Sequence, residues 1–217
     1  MITANTPLGV VATEYSGATR ILRSHGLDFC CGGNTTIGEA CGENTDKLLS
    51  ELQGLEKFEG DDDWKSRADS EIIDHIIKNY HAKHREDLPE LIRLARRVEQ
   101  VHGYHSECPA GLADVLEKLE EDLLSHMAKE EQVLFPAILE NADKDWMSHP
   151  IKAMLHEHDE AGKDVELMDQ LTNNFTLPEG ACNTWRASYM NTHTFIQELM
   201  EHISLENNIL FPRALGE

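Results

Sequence analysis

From Ser70 onward, apolar and polar residues recur along the chain with a helical period. Ile77, His81, His84, Leu88, Leu91, Ala95, Val98 and His102 follow one another at steps of three and four, the spacing that gathers side chains on one face of an α-helix. A stripe of that kind needs a partner surface to cover it. Turn-forming clusters fall at His102-Gly103 through Pro109-Ala110-Gly111, at Asn141-Ala142-Asp143 and at Leu177-Pro178-Glu179-Gly180, and they cut this region into long helical segments. Four long helices joined by short links predict an antiparallel, up-and-down four-helix bundle. No run combines period-two alternation with hairpin turns, so the expected fold class is all-α.

Residues 1–66 have a different texture. Thr6-Pro7, Ser16, Asn34-Thr35 and Thr45-Asp46 are helix starts, while Gly26, Gly32-Gly33 and Gly42 punctuate, which predicts a small N-terminal domain of several short helices. The run Gly60-Asp61-Asp62-Asp63 reads as a solvated boundary. The expected division is therefore 1–66 for the small helical domain and 67–217 for the bundle.

Charge narrows the partners. Forty acidic against nineteen basic side chains give a net charge of -21, which repels phosphate backbones and anionic lipid surfaces, so neither nucleic acid nor membrane is an expected partner. The opening MITANTPLGVVATEYSGATR has neither a basic n-region followed by an apolar core nor a long apolar span, and the five cysteines form no framework spacing. Reduced thiols and a cytoplasmic location are expected. The twelve histidines are the unusual feature, and most lie between His75 and His202.

The stretch HMAKEEQVLFP, beginning at His126, returns 76 residues later as HISLENNILFP, beginning at His202. Residues four apart stack on one helix face, so His126 with Glu130, and His202 with Glu206, each aim an imidazole and a carboxylate at one spot. A single His-x-x-x-Glu is commonly an ordinary surface pair. In an antiparallel hairpin, however, two residues share a height only when the turn lies midway between them. The midpoints of His81 and His126, of His126 and His158, and of His158 and His202 are 103.5, 142 and 180, and each falls on a turn already assigned. Four helices thus bring a histidine to one level, with Glu130 and Glu206 about one turn, roughly 5 Å, along the axis.

Four imidazoles and two carboxylates are too many for a tetrahedral zinc and suit two octahedral first-row ions with the carboxylates bridging them. The candidate metal ligands are His81, His126, Glu130, His158, His202 and Glu206. The expected cofactor is a pair of iron ions, oxo- or hydroxo-bridged, with a position open to an incoming ligand. Zinc is the alternative metal, because imidazole serves both ions.

The other histidines are weighed against the same geometry. His102 lies roughly 30 Å from His81 along the helix axis and is set aside. His84, one turn from His81, reads first as a core or solvent-bridged histidine, with a role as seventh ligand or ligand support as the alternative. His75, His105, His149, His156 and His193 are expected at the surface. Asp122 and Glu198 precede His126 and His202 by four residues; each is either a solvated carboxylate or the partner that orients a ligand imidazole. Phe135 and Phe211 are expected in the core, and Pro136 and Pro212 are expected to kink or stop their helices.

LDFCCGG sets Cys30 and Cys31 side by side. A disulfide between neighbours closes a strained ring that is easily reduced. Asp28 is close and no Lys or Arg adjoins the pair, so the sequence offers no cause for an activated thiolate. Two readings stand, a buried structural cysteine beside a Gly-Gly turn and a catalytic thiol pair. The level of His81 lies about 11 residues, roughly 16 Å, from the helix start where the small domain attaches, which lets the pair cap the mouth of a metal site.

LDFCCGG, IIDHIIKNYHAKHREDLPEL, SHMAKEEQVLFP, EHDEAG and EHISLENNILFPRAL together resemble the repair-of-iron-centres family of di-iron proteins, over nearly the whole chain. The resemblance implies a hemerythrin-like bundle behind a small ScdA-type N-terminal domain. It implies a cytoplasmic bacterial protein that restores iron–sulfur clusters damaged by nitric oxide or peroxide, with damaged or apo iron–sulfur proteins and nitric oxide, or another small diatomic, as partners. The family's iron ligands fall on the six residues chosen above, and its paired thiols fall on Cys30 and Cys31. Iron donation, removal of nitric oxide, or both are compatible with it. The competing readings are a hemerythrin-like oxygen or nitric oxide binding or sensing protein and a catalytic nitric oxide reductase. Ferritin-like storage is disfavoured, because those sites use Glu-x-x-His whereas this chain has His-x-x-x-Glu.

Overall fold

The computed structural model describes residues 1–60 and 63–216, so Asp61 and Asp62 of the expected boundary lie outside the described residues. Four short helices open the chain: α1 (Leu8–Glu14), α2 (Ala18–Ser24), α3 (Ile37–Cys41) and α4 (Thr45–Leu52). Local chemistry sets their ends. Gly17, at φ 77°, makes the left-handed turn between α1 and α2, a conformation cheap only for glycine. A capping box starts α3, with the Glu39 amide donating to Thr36 and the Thr36 amide donating to Glu39. The buried faces of these helices, including Val11, Leu22, Ile37, Leu48 and Leu52, join one continuous core with Leu88, Leu199 and Ile203 of the bundle.

The bundle helices are longer and three of them change character along their length. Helix α5 runs through Asp69–His75, a wider π-turn at Ile76–His81, and Ala82–His102. Helix α6 runs through Leu112–Lys129, a π-turn at Glu130–Leu134, and Phe135–Leu139. Helix α7 is α-helical over Lys144–Leu171. Helix α8 runs through Asn183–Leu205, a π-turn at Glu206–Leu210, and Phe211–Leu215. Helix α5 packs on α6 and α8, and α7 packs on α6 and on the last part of α8. The described residues contain no strand, only two isolated bridges, and the all-α four-helix architecture agrees with the sequence reading.

In each π-turn one amide reaches back five residues: Ala82 donates to the Ile77 carbonyl, Phe135 to Glu130 and Phe211 to Glu206. Such turns are rare and concentrate at functional positions. Pro136 and Pro212 come just after two of them, each separated from its π-turn by a single phenylalanine. The helices do not stop there, contrary to one of the two outcomes expected, but continue to Leu139 and Leu215. Proline lacks an amide proton and its ring crowds the carbonyl four residues back; a widened turn just before it accommodates both.

The buried apolar residues fall into two clusters. One holds Ile72, Ile76, Leu134, Phe135, Ile151, Met154, Leu210 and Phe211, all on one side of the histidine level in their helices. The other holds Leu88, Ala95, Leu119, Leu123, Val165, Trp185 and Leu199 on the far side. A polar layer separates them.

Candidate metal centre

The six sequence-selected side chains meet in that layer. His81 closes the π-turn of α5, Glu130 and Glu206 open those of α6 and α8, and His126, His158 and His202 come from regular α-helix. None of the six is more than 3% exposed. Two sets of four converge, His81, Glu130, His202 and Glu206 in one and His126, Glu130, His158 and Glu206 in the other, with the donor atoms of each set within 4.8 Å of one another. Both carboxylates belong to both sets.

Glu130 Oε2 lies 3.3 Å from His81 Nε2 and 3.4 Å from His126 Nε2. Glu206 Oε1 lies 3.1 Å from His202 Nε2, and its Oε2 lies 3.2 Å from His158 Nε2. Within each set the two imidazoles also face each other, His81 and His202 at 3.2 Å and His126 and His158 at 3.1 Å between Nε2 atoms.

The opposite ring nitrogens fix the tautomers. His81 Nδ1 donates to Glu131 at 2.8 Å, His126 Nδ1 to Glu157 at 2.9 Å and His158 Nδ1 to Asn207 Oδ1 at 2.8 Å. Carboxylate and amide oxygens accept only, so the proton sits on Nδ1 and a neutral ring turns its Nε2 lone pair inward. Facing lone pairs at such distances repel unless a positive charge stands among them. Both oxygens of Glu130 and one of Glu206 are buried without an aligned donor, a costly state for a charged group. Shared carboxylates and inward nitrogens therefore fit bound first-row cations, for which imidazole and carboxylate are suitable ligands.

Protonation follows the same charges. Burial presses the His126 pKa down, yet the Glu130 and Glu157 carboxylates outweigh it and hold the ring up at about 10, so a proton competes with a cation for its inward Nε2. Burial opposes His81 in the same way and is overcome by Glu130, Glu206 and Glu131. For His202 burial wins despite Glu206, and its pKa is lowered. Glu206 stays well below the usual carboxylate range although burial pulls the other way, because His202 and His158 surround it.

Aromatic rings wall the layer. Phe135 stacks on His81, Phe211 on His158 and Tyr80 on His202. His84 is buried, packs edge-on against Phe195 and lies beside His202, with neither ring nitrogen hydrogen-bonded; burial and the neighbouring histidines push its pKa down to about 2. It joins neither donor set among the described residues. A cleft of about 200 Å³, bordered by His126, His158, Glu157 and Asp122, reaches the layer from the surface between α6 and α7.

Cys30 and Cys31 sit on the loop after α2 as free thiols, their Sγ atoms 3.8 Å apart. The Cys31 thiol, burial and the Asp28 carboxylate push the Cys30 pKa up. The loop rests on the π-turn of α8: Asn207 Nδ2 donates to the Cys30 carbonyl at 3.1 Å and Asn208 Nδ2 to the Phe29 carbonyl at 3.1 Å. Gly9 and Gly33 make room for Asn208, since a Cβ at either position would stand 2.4 or 2.1 Å from its Oδ1.

Some expectations need correction. Asp122 is exposed and pairs with Lys118, and Glu198 pairs with Lys83, so the solvated reading holds for Asp122 and the orienting partners are Glu131, Glu157 and Asn207 instead. Each of these adjoins a candidate ligand in sequence and reaches across to a histidine on the preceding helix, a placement that same-face spacing does not reveal. His75 and His105 are half-buried rather than at the surface, His75 between Trp64 and Tyr80 and His105 against Trp185. His149, His156 and His193 are exposed, as expected. His102, at the far end of α5, contacts Cys182.

An antiparallel four-helix bundle with a buried layer of histidine and glutamate defines the hemerythrin class of cation-binding domain, and the family model described as hemerythrin HHE cation binding domain matches residues 72–214. A second model, ScdA_N, described as a domain of unknown function, matches residues 4–56. The chain is 46% identical over 220 residues to a probable iron-sulfur cluster repair protein of Haemophilus influenzae, covering 99% of this chain and 98% of that protein. It is 48% identical over 212 residues to the iron-sulfur cluster repair protein YtfE of Pectobacterium atrosepticum, covering 96% of each. It is 47% identical over 215 residues to the protein of that name in Yersinia pseudotuberculosis, covering 97% of each. The chain belongs to this iron–sulfur cluster repair family.

Proposed function

We propose that the protein repairs damaged iron–sulfur clusters by supplying iron from a dinuclear site. His81 and His202 would hold one ion and His126 and His158 the other, with Glu130 and Glu206 contributing a carboxylate to both. The observation that carries this reading is that both carboxylates belong to both donor sets. When bound, the iron pair supplies redox-active, exchangeable Lewis-acid centres. The protein's own residues do the rest. Glu131, Glu157 and Asn207 hold three imidazoles in the metal-binding tautomer, and the aromatic walls limit solvent.

Iron is also the cargo. Neutral imidazoles attract a cation less by charge than a carboxylate-rich cage does, so protonation of a histidine favours release. We assign residues 1–66 to a thiol-bearing unit and 67–217 to the iron-bearing bundle, in a cytoplasmic protein acting under nitrosative or oxidative stress. Anaerobic incubation of the iron-loaded protein with an apo iron–sulfur protein is expected to restore the client's cluster, given sulfide and reductant. Complete retention of iron, with no gain in cluster, would overturn the proposal.

The cleft bordered by His126 and His158 favours a second reading, access of nitric oxide or another diatomic to the centre. Turnover of nitric oxide to nitrous oxide would identify a reductase, and a stable reversible adduct a carrier or sensor.

A further inference from the structure

A second donor set lies outside the polar layer. Asp28, Cys30 and Cys31 occupy one tight loop with their donor atoms within 4.8 Å of one another. Cys30 Sγ is 3.8 Å from Cys31 Sγ and 3.2 Å from Asp28 Oδ1. Two sulfurs each about 2.3 Å from one ion, subtending a tetrahedral angle, stand about 3.8 Å apart. The thiols thus already hold the bite of a tetrahedral site, at nearly twice the roughly 2.05 Å of a disulfide.

We propose that Asp28, Cys30 and Cys31 form a separate mononuclear site for a thiophilic divalent first-row cation, with its remaining coordination position facing the adjoining cleft. The loop is pre-formed for this, because the amides of Cys30, Cys31 and Gly32 all donate to Asp28 and hold its carboxylate beside the sulfurs. The cleft, about 590 Å³, is lined by both cysteines together with Asn34, Lys65, Asp159 and Asn207, and Cys31 is half-buried at its edge. At the back, Asn207 places the Cys30 carbonyl two hydrogen bonds from the His158 ring. Binding breaks two S–H bonds and forms two metal–sulfur bonds, the protons leave to solvent, and no electron changes hands. The use of the site as a staging point for departing iron rests on the repair reading; the binding itself does not.

The test titrates the full-length, metal-free, reduced protein with cobalt(II) under anaerobic conditions. Thiolate ligation gives an intense sulfur-to-cobalt charge-transfer absorption that histidine and glutamate ligation does not. The wild type is expected to bind a third equivalent that carries this absorption. Cys30→Ser/Cys31→Ser should lose the absorption and that one equivalent while keeping the other two, and Glu130→Ala/Glu206→Ala should lose the other two while keeping the absorption. Asp28→Asn should weaken the thiolate-bound equivalent on the order of tenfold; unchanged affinity overturns its place in the donor set. Absence of the absorption in the wild type overturns the site, as does its survival in the double serine variant, which would move it to Cys41, Cys108 or Cys182. If the two sulfur-free equivalents are missing from the wild type while the absorption is present, the dinuclear reading fails and this site stands. Should Glu130→Ala/Glu206→Ala not fold by circular dichroism, the serine variant decides alone.

Discussion

Asn207 joins His158 to Cys30: its Oδ1 accepts from the His158 ring at 2.8 Å, and its Nδ2 donates to the Cys30 carbonyl at 3.1 Å. Asn207→Ala removes both bonds, frees the imidazole to rotate and leaves the carbonyl without that donor. Loss of an orienting partner of a metal-ligating histidine typically costs 10–100-fold in metal affinity. That loss is expected at the position formed by His126 and His158, with the His81 and His202 position affected less. Metal titration resolved into two binding steps checks it, and equal losses at both positions would deny Asn207 this role.

The six-residue layer is legible in the sequence because turn midpoints fix heights in an antiparallel bundle, and that rule needs only residue numbers. Asn207, Glu131 and Glu157 are not legible in the same way. Same-face spacing points to Asp122 and Glu198, but the Nδ1 atoms face sideways across helix boundaries, toward residues set by inter-helix rotation. The π-turns are equally silent, since a shift from i→i+4 to i→i+5 pairing has no residue code. Pro136 and Pro212 mark two of them, and the third, at Ile76–His81, has no such marker. Closeness of Cys30 to the layer could be read only as a distance along the axis, whereas its contact depends on Gly9 and Gly33 admitting Asn208.

Glu130 contributes to both donor sets and His81 to one. Glu130→Ala is therefore expected to reduce uptake at both positions, while His81→Ala leaves the His126 and His158 position occupied, so about half the metal remains. Metal analysis of the two purified variants after identical loading distinguishes them. Equal stoichiometry in both would contradict the sharing of Glu130.

Phe211 and Trp185 are both about 1% exposed but stand on opposite sides of the layer. The Phe211 ring lies parallel to His158, with centroids 6.0 Å apart, whereas Trp185 packs with His102, His105 and Tyr189 at the far end. Truncation of either to alanine is expected to cost about 3–5 kcal/mol of stability. Only Phe211→Ala should also weaken metal binding, because His158 loses the ring that confines it. Denaturant unfolding of the metal-free variants, followed by metal titration, separates the two effects; weakened binding in Trp185→Ala as well would mean that general loosening is responsible.

Glu14, at the end of α1, accepts from Lys57 at 2.6 Å and from Lys65 at 2.8 Å, tying the first helix to the segment that leads into the bundle. Burial pushes its pKa up, but the two ammonium groups outweigh that and the net shift is downward from 4.5. A carboxyl group with a lowered folded-state pKa contributes stability above its unfolded pKa and loses it as pH falls through the folded value. All three groups are partly exposed, so the contribution is modest. Glu14→Gln is thus expected to unfold at lower urea concentration than the wild type near pH 7, and the gap should close as pH drops below about 4. Urea midpoints of the metal-free proteins across that range are the measurement. A gap that persists in acid would trace the effect to lost packing or hydrogen bonding rather than to the ion pairs holding this seam.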